Sequence, residues 1–266
     1  MTNASLAGVR ILVTRPAHQA HTLCAMISNA GGQALMLPVI EIVPLDLSVS
    51  AEQEIKQIAA FDYAVFISPN AVQYGIKKIL AHAKIPDKLK LVTIGRASAQ
   101  KLQQLSGRPA DIVPQGQYNS ETLLAHKALQ SNSIRDKKIL IFRGTDGREL
   151  LAKVLRERGA DVSYTAVYQR TLPQYSEQDF MQIWSARPDI ITLTSNEGLN
   201  NLIHICHKHL SNEQLEQLWQ YPLVVVTDKM RQTAQAAGFN NSILIAHKAS
   251  NEALLEAVKR CLSEQG

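Results

Sequence analysis

The sequence lacks the features that mark membrane proteins, secreted proteins and metal-stabilised scaffolds. Its 266 residues contain no apolar run near the roughly 18 residues that a membrane-spanning helix needs. The first residues show no charged region followed by a long apolar stretch, so we expect no secretion signal. The three cysteines, Cys24, Cys206 and Cys261, are widely spaced and exclude a disulfide framework or a structural zinc site. These absences predict a cytoplasmic protein without a membrane partner.

Aromatic residues are also scarce, at 5% of the chain, and they form no array on which nucleic-acid bases would stack. Lysine and arginine outnumber aspartate and glutamate by 28 to 23, which gives a net charge of +5. The basic residues are scattered along the chain instead of forming a stripe, so we expect no nucleic-acid partner. A small anionic ligand is compatible with this modest positive charge.

The common catalytic and cofactor motifs are missing as well. There is no GxxxxGK[ST] loop for a nucleotide phosphate, no GxGxxG for a dinucleotide and no GxSxG turn of a serine hydrolase. One run contains His204, Cys206, His207 and His209, but on a helix these side chains point in different directions. We therefore interpret the run as a polar helix surface and expect no metal site there.

The length predicts two domains, and the second half of the chain echoes the first at an offset of about 130 residues. The segment 10–15 (RILVTR) reappears as 138–143 (KILIFR), and 62–68 (DYAVFIS) reappears as 189–195 (DIITLTS). These runs are short, rich in β-branched residues and apolar on both faces, and amphipathic stretches such as 148–159 separate them. The pattern predicts an α/β fold with two parallel sheets.

Two segments, 33–47 and 161–173, are longer than one buried strand of roughly 5–6 residues. Because they occupy equivalent places in the two repeats, we expect each to leave one sheet, run on as an exposed ribbon and pair with the other. This predicts a discontinuous first lobe, 1–38 with 174–266, and a second lobe, 44–165, with connecting strands 39–43 and 166–173. A plain tandem divided near Ser133 is the alternative.

Ligands of open α/β sheets bind beyond the carboxyl ends of the strands, where loops lead into helices. Four of six such ends in this sequence carry a cation, and most carry a residue that can also cap the following helix. Capping alone therefore remains the alternative interpretation for each single hydroxyl or amide. The candidate ligand-binding residues at these ends are Arg15, Ser68, Asn70, Gly95, Arg96, Ser98, Arg143, Ser195, Asn196, Thr227 and Lys229.

Several of these segments, in this order and spacing, resemble the uroporphyrinogen-III synthase family. The resemblance rests on ILVTRP at 11–16, FISPNAV at 66–72, TIGRA at 93–97, SETLL at 120–124, IFRG at 141–144 with GREL at 147–150, and AVYQR at 166–170. It implies two flavodoxin-like α/β lobes joined by a two-stranded antiparallel ladder, with the first lobe built from both chain ends. It also implies a cofactor-free, metal-free enzyme, which we expect to be a monomer.

The reaction that the resemblance implies is cyclisation of hydroxymethylbilane to uroporphyrinogen III, with inversion of ring D and loss of water. The family pattern places a tyrosine at Tyr168, where the long strand would present it to a cleft and its phenol would assist the departing hydroxyl. A cross-strand packing role is the alternative for this residue. In the loop 227–229, the acid Asp228 and the base Lys229 stand where relatives often carry small hydroxyl residues. Whether a hydroxyl of this loop binds the substrate is therefore open.

Two other functions are compatible with the same fold. A non-enzymatic two-lobed binding protein or sensor could close on an anionic small molecule. A flavin carrier would share the lobe topology only, because fold does not determine function.

Overall fold

The computed structural model describes residues 6–116, 119–147 and 149–264. They form two compact units, of which the first lies within Met1–Glu41 and Thr171–Gly266 and the second is Ile42–Arg170. The first unit is therefore discontinuous in sequence, and Ser133 lies inside the second unit. Within the described residues, no helix combines the length and apolar character required to cross a bilayer.

The first unit has a five-stranded sheet in the order β10-β9-β8-β1-β2, whose neighbouring strands pair in parallel. Its strands are β1 (Arg10–Val13), β2 (Gln33–Met36), β8 (Ile190–Thr192), β9 (Leu223–Val225) and β10 (Ile243–Ile245). Its helices are α1 (Ala17–Asn29), α8 (Glu177–Trp184), α9 (Asn196–His209), α10 (Asn212–Leu218), α11 (Asp228–Ala237) and α12 (Asn251–Ser263).

The second unit has a sheet in the order β3-β7-β6-β4-β5, in which β7, β6, β4 and β5 pair in parallel. Its strands are β3 (Glu41–Pro44), β4 (Tyr63–Phe66), β5 (Lys90–Thr93), β6 (Lys138–Gly144) and β7 (Asp161–Thr171). Its helices are α2 (Val49–Lys56), α3 (Pro69–His82), α4 (Arg96–Ser106), α5 (Ser120–Leu124), α6 (Ser131–Ile134) and α7 (Leu150–Glu157), with short 3₁₀ turns at Ile58–Ala60 and Lys127–Leu129.

The internal repeat appears in the strand orders. The order β9-β8-β1-β2 of the first sheet corresponds to β5-β4-β6-β7 of the second. A parallel bridge between Val92 and Ile112 lies beside β5, in the place that β10 takes beside β9. The predicted α/β class with parallel sheets is confirmed.

The two-sided apolar character of the strands has the predicted cause. In β6, Ile139 and Ile141 belong to one buried cluster, whereas Leu140 and Phe142 belong to another. Successive side chains of a strand point to opposite faces, so helices cover this strand on both sides.

The two long segments differ from each other. Segment 33–47 contains two short strands, β2 in the first sheet and β3 in the second. Segment 161–173 instead forms one strand of 11 residues, β7, which lies between β3 and β6. Its pairing with β6 runs from Asp161 to Tyr168, with an irregularity after Arg143. Most of β7 is therefore part of the second sheet, and the expectation of an exposed ribbon from residue 166 is wrong for Val167 and Tyr168, which are buried.

Candidate functional site

The strand ends of the second unit lead directly into helix N-termini. Ser68 caps α3, and its Oγ accepts a hydrogen bond from the backbone N–H of Ala71 at 3.0 Å. Asn70 follows in the first turn of α3 and is half-buried. Gly95 and Arg96 stand at the start of α4, where Gly95 is buried and the Arg96 side chain is exposed. In the same turn, Ser98 is buried, with 4% of its surface exposed.

The structure brings together Ser68 and Tyr168, which are 100 residues apart in sequence. The Tyr168 hydroxyl lies 3.1 Å from Ser68 Oγ, and either oxygen can donate the hydrogen bond. The Tyr168 ring also lies against Gly144, because a Cβ at that glycine would come within 2.9 Å of the ring atoms Cε2 and Cζ. A phenol and a serine hydroxyl thus share one hydrogen bond at the N-terminus of a helix of 14 residues.

Tyr168 is less accessible than the sequence suggests. Only 4% of its surface is exposed, and it belongs to the buried cluster that includes Phe66 and Phe142. Its ring stacks on Tyr74 of α3 with centroids 6.0 Å apart. The ring is buried against α3, and its presentation to a cleft stays a prediction. Packing, the alternative interpretation, is observed together with the hydroxyl contact.

Arg143 is held by hydrogen bonds to residues of the loop that follows it. Its Nη1 donates to Glu149 Oε1 at 2.9 Å, its Nη2 donates to Gly147 O at 2.8 Å and its Nε donates to Gly144 O at 3.2 Å. The guanidinium carbon also lies 4.8 Å from the centre of the Tyr164 ring. The three hydrogen bonds engage Arg143 within its own loop, and its role as a ligand-binding cation stays a prediction. These contacts hold the loop after β6.

In the first unit, Arg15 follows β1 and has a different environment. Its Nη1 donates to Asn251 Oδ1 at 2.6 Å and its Nη2 donates to Gln19 Oε1 at 3.3 Å. The buried Nε has no hydrogen-bond partner among the described residues. Burial lowers the pKa of the Arg15 guanidinium. Because both side-chain partners are neutral amides, these two contacts leave the charge of Arg15 uncompensated.

The remaining candidates of the first unit stand at the starts of α9 and α11. Ser195 caps α9 by accepting from Gly198 N–H at 2.9 Å, and Thr227 caps α11 by accepting from Met230 N–H at 3.2 Å. Asn196 Oδ1 is buried and has no partner among the described residues. Lys229 is exposed in the first turn of α11. The capping interpretation therefore holds for both hydroxyls. Each cap occupies one N–H group of the first helical turn, and the neighbouring N–H groups of that turn have no partner within the helix.

Sequence reasoning missed two contacts of these sites. Asn251, which holds Arg15, is the first residue of α12 and lies 236 residues away in sequence. Tyr74 lies beside Tyr168 and donates its hydroxyl to Ile42 O at 3.1 Å. The repeat offered a signal only for Asn251, because the segment 251–255 (NEALL) echoes 120–124 (SETLL).

The histidine-containing run lies on α9, as expected. Cys206 is buried, whereas His204 and His207 are exposed. Burial raises the pKa of the Cys206 thiol to about 12, so it stays protonated at neutral pH. Throughout 6–116, 119–147 and 149–264, no three histidine, cysteine, aspartate or glutamate side chains are grouped so as to hold a metal ion.

The molecule thus belongs to a recognisable class of α/β proteins. It has an α/β fold with two mostly parallel sheets, and its strand ends carry hydroxyl, amide and cationic groups at helix N-termini. Such ends suit an anionic small molecule, because free N–H groups and nearby cations attract negative charge.

Comparison with known proteins identifies the family within this class. A family model described as Uroporphyrinogen-III synthase HemD matches residues 21–259. The uroporphyrinogen-III synthase of Escherichia coli K12 is 30% identical over 254 residues, which cover 94% of this chain and 99% of that protein. The enzyme of Proteus mirabilis is 36% identical over 176 residues, covering 65% of this chain and 86% of that protein. The chain belongs to the uroporphyrinogen-III synthase family, an enzyme family of tetrapyrrole biosynthesis, and the non-enzymatic alternative is not favoured.

Two solved structures are similar in fold. The uroporphyrinogen-III synthetase of Helicobacter pylori has a TM-score of 0.59 at 18% identity and covers 96% of this chain and 99% of that one. A mutant uroporphyrinogen III synthase of Thermus thermophilus has a TM-score of 0.53 at 15% identity, covering 97% of this chain and 100% of that one. At these identities the likeness shows the shared α/β fold alone.

Proposed function

We propose that the protein cyclises the linear tetrapyrrole hydroxymethylbilane to uroporphyrinogen III, with inversion of ring D and loss of water. The observation that carries this proposal is the family match over residues 21–259. The strand-end groups support it, because the substrate carries acetate and propionate arms on every ring. The net reaction is loss of water without a change in oxidation state. The residues of the chain therefore need to bind and orient the substrate and to move a proton.

Binding relies on groups that attract carboxylates at the strand ends of each unit. Arg15 supplies a half-buried positive charge whose two hydrogen-bonded partners are neutral amides. Arg96 and Lys229 supply exposed charges at the first turns of α4 and α11. The helices capped by Ser68 and Ser195 add backbone N–H groups, which bind anions at a helix N-terminus. The proposed binding set also contains Asn70, Gly95, Ser98, Arg143, Asn196 and Thr227.

Tyr168 is the proposed proton donor. When the C–O bond of the hydroxymethyl group breaks, the departing oxygen needs a proton to leave as water. The Tyr168 phenol is hydrogen-bonded to Ser68 Oγ at 3.1 Å, so a proton can pass from the buried phenol through the half-buried serine hydroxyl. Ring closure replaces a C–H bond of the terminal pyrrole by the new C–C bond and releases that proton, which returns to the pair, so the overall reaction loses only water.

Regiochemistry is the second task of the site. Spontaneous closure joins the ring without inversion, so the enzyme must hold ring D for attack at its substituted carbon, through a spiro intermediate. Several separate anchors for the acid arms restrict the orientation of ring D. The choice of isomer therefore depends on geometry more than on acid strength.

The test is product analysis with freshly generated hydroxymethylbilane. We expect isomer III at a rate above the spontaneous reaction, and isomer I at the spontaneous rate would overturn the proposal. Arg15→Gln should weaken substrate binding several-fold, on the order of 1 kcal/mol for a partly solvated charge contact. Lys77→Gln, which removes an exposed charge on α3, is the matched control and should bind like wild type.

The finer architecture is part of the same proposal. It comprises two flavodoxin-like lobes, a two-stranded antiparallel ladder and a monomeric cytoplasmic protein. Support comes from the sheet membership of β2 and β3, which belong to different sheets although only four residues separate them, and from β3 being the neighbour of β7. Light scattering should give a mass near 29.4 kDa, and twice that mass would refute the monomer.

A further inference from the structure

A cleft of about 310 Å³ opens in the second unit where β4, β5 and β6 end. Ile67, Ile94 and Ile141 form apolar walls, and Arg143 and Tyr164 form part of its polar lining. Its volume is near the lower end of the roughly 300–1,000 Å³ range of small-ligand pockets. It therefore suits one substituted five-membered ring and is too small for a chain of four.

The two members of the ion pair at this cleft differ in solvent exposure. The Arg143 side chain is 9% exposed, whereas its partner Glu149 is 70% exposed. An exposed carboxylate gains little from such a pair, because water solvates it almost as well. A buried guanidinium, in contrast, is costly to leave without an anion. Glu149 can therefore leave at low cost only when another carboxylate takes its place on Arg143.

Resting on the proposed function, we propose that this cleft is the subsite for one pyrrole ring of the substrate, and that Glu149 occupies the carboxylate position on Arg143 until an acid arm of that ring displaces it. The pyrrole packs between the isoleucine side chains and the Tyr164 ring. Its carboxylate then accepts the hydrogen bond that Arg143 Nη1 now donates to Glu149 at 2.9 Å.

The other contacts of Arg143 support an exchange at Nη1. Nη2 and Nε are held by the carbonyl oxygens of Gly147 and Gly144, so the guanidinium stays in place when Glu149 leaves. A Cβ at Gly147 would come within 2.8 Å of Nη2, which shows how closely this loop surrounds the guanidinium. The hydrogen bond from Arg143 also lowers the pKa of Glu149, so the resident group is an ionised carboxylate like the proposed ligand.

The probe for this subsite is a monopyrrole that carries one acetate and one propionate arm, titrated calorimetrically into the full-length protein. Glu149→Gln keeps the size and the hydrogen-bonding oxygen but removes the competing charge. We expect it to bind the monopyrrole about twofold to fivefold more tightly than wild type, the effect of one partly solvated charge contact. Glu157→Gln, at the far end of the helix α7 that Glu149 precedes and also exposed, makes the same change in net charge and should leave the affinity unchanged.

Three results would overturn the inference. Equal or weaker binding by Glu149→Gln would mean that Glu149 only positions Arg143. An equal gain with Glu157→Gln would mean a general charge effect, and no binding to either protein would remove the subsite. Because Glu149 is exposed, its variant should fold, and a thermal melt checks this. Isomer III formation by wild type is measured separately, so this inference can fail while the proposed function stands.

Discussion

Replacing Tyr168 with phenylalanine removes one oxygen from a buried ring and leaves the packing in place. The phenyl group still fills the space beside Gly144 and still stacks on Tyr74. The lost contact is the hydrogen bond to Ser68 Oγ at 3.1 Å. Ser68 keeps its bond from Ala71 N–H and is half-buried, so water can replace the phenol.

These contacts determine the expected losses of stability and of reaction rate. A single neutral hydrogen bond contributes about 0.5–1.5 kcal/mol to stability, which is small against a typical total of roughly 5–15 kcal/mol. A positioned general acid contributes about 10²–10⁴-fold in rate, or about 2.7–5.4 kcal/mol in the activation barrier. We therefore expect Tyr168→Phe to fold, to melt only slightly lower and to lose kcat by at least about a hundredfold, with little change in KM.

The assay combines initial rates, isomer analysis and urea denaturation. Tyr74→Phe is the matched control, because it removes a phenol hydroxyl from the same cluster, one that donates to Ile42 O at 3.1 Å. It should lose comparable stability and keep its turnover. Residual product of Tyr168→Phe should still be isomer III, since the binding groups remain. Undiminished turnover of Tyr168→Phe would remove the phenol from the mechanism and leave it a packing role only.

Three further predictions concern stability. Gly75→Ala would place a Cβ 2.8 Å from Phe142 Cδ1. The overpacking cost of about 1–3 kcal/mol should exceed the helix-propensity gain of at most roughly 1 kcal/mol. Urea denaturation should therefore show a less stable protein, and a more stable variant would refute this. Hydrogen bonds from Arg10 lower the pKa of Asp189, so its stabilisation is present above its unfolded pKa and is lost as pH falls through the folded value. The stability difference between wild type and Asp189→Asn should therefore shrink in titrations below about pH 4, and a difference independent of pH would contradict the assignment. Ser211→Ala removes a capping box at α10 and should cost about 0.5–2 kcal/mol, whereas Ser211→Asn should restore most of it; equal melting temperatures for all three proteins would contradict the capping role.

The strand and helix pattern could be predicted because its causes are local. The strands are apolar on both faces, which indicates burial under helices on each side, and β6 shows this alternation directly. Ser68 and Ser195 stand at equivalent points of the repeat and cap α3 and α9 in the same way. A cap needs only a hydroxyl and an N–H three residues later, so the chain itself specifies it.

The α/β class, the repeat and the residues at the strand ends follow from local patterns of the chain. The side-chain contacts of those residues depend on the folded unit. The partners of Tyr168 and Arg15 lie 100 and 236 residues away, and no local pattern reports such distances. Arg143 shows the same limit at short range, because Glu149 is only six residues away, yet whether they pair depends on how the loop after β6 folds. Periodicity reports which face of an element is buried, whereas contacts between elements follow from packing of the whole unit.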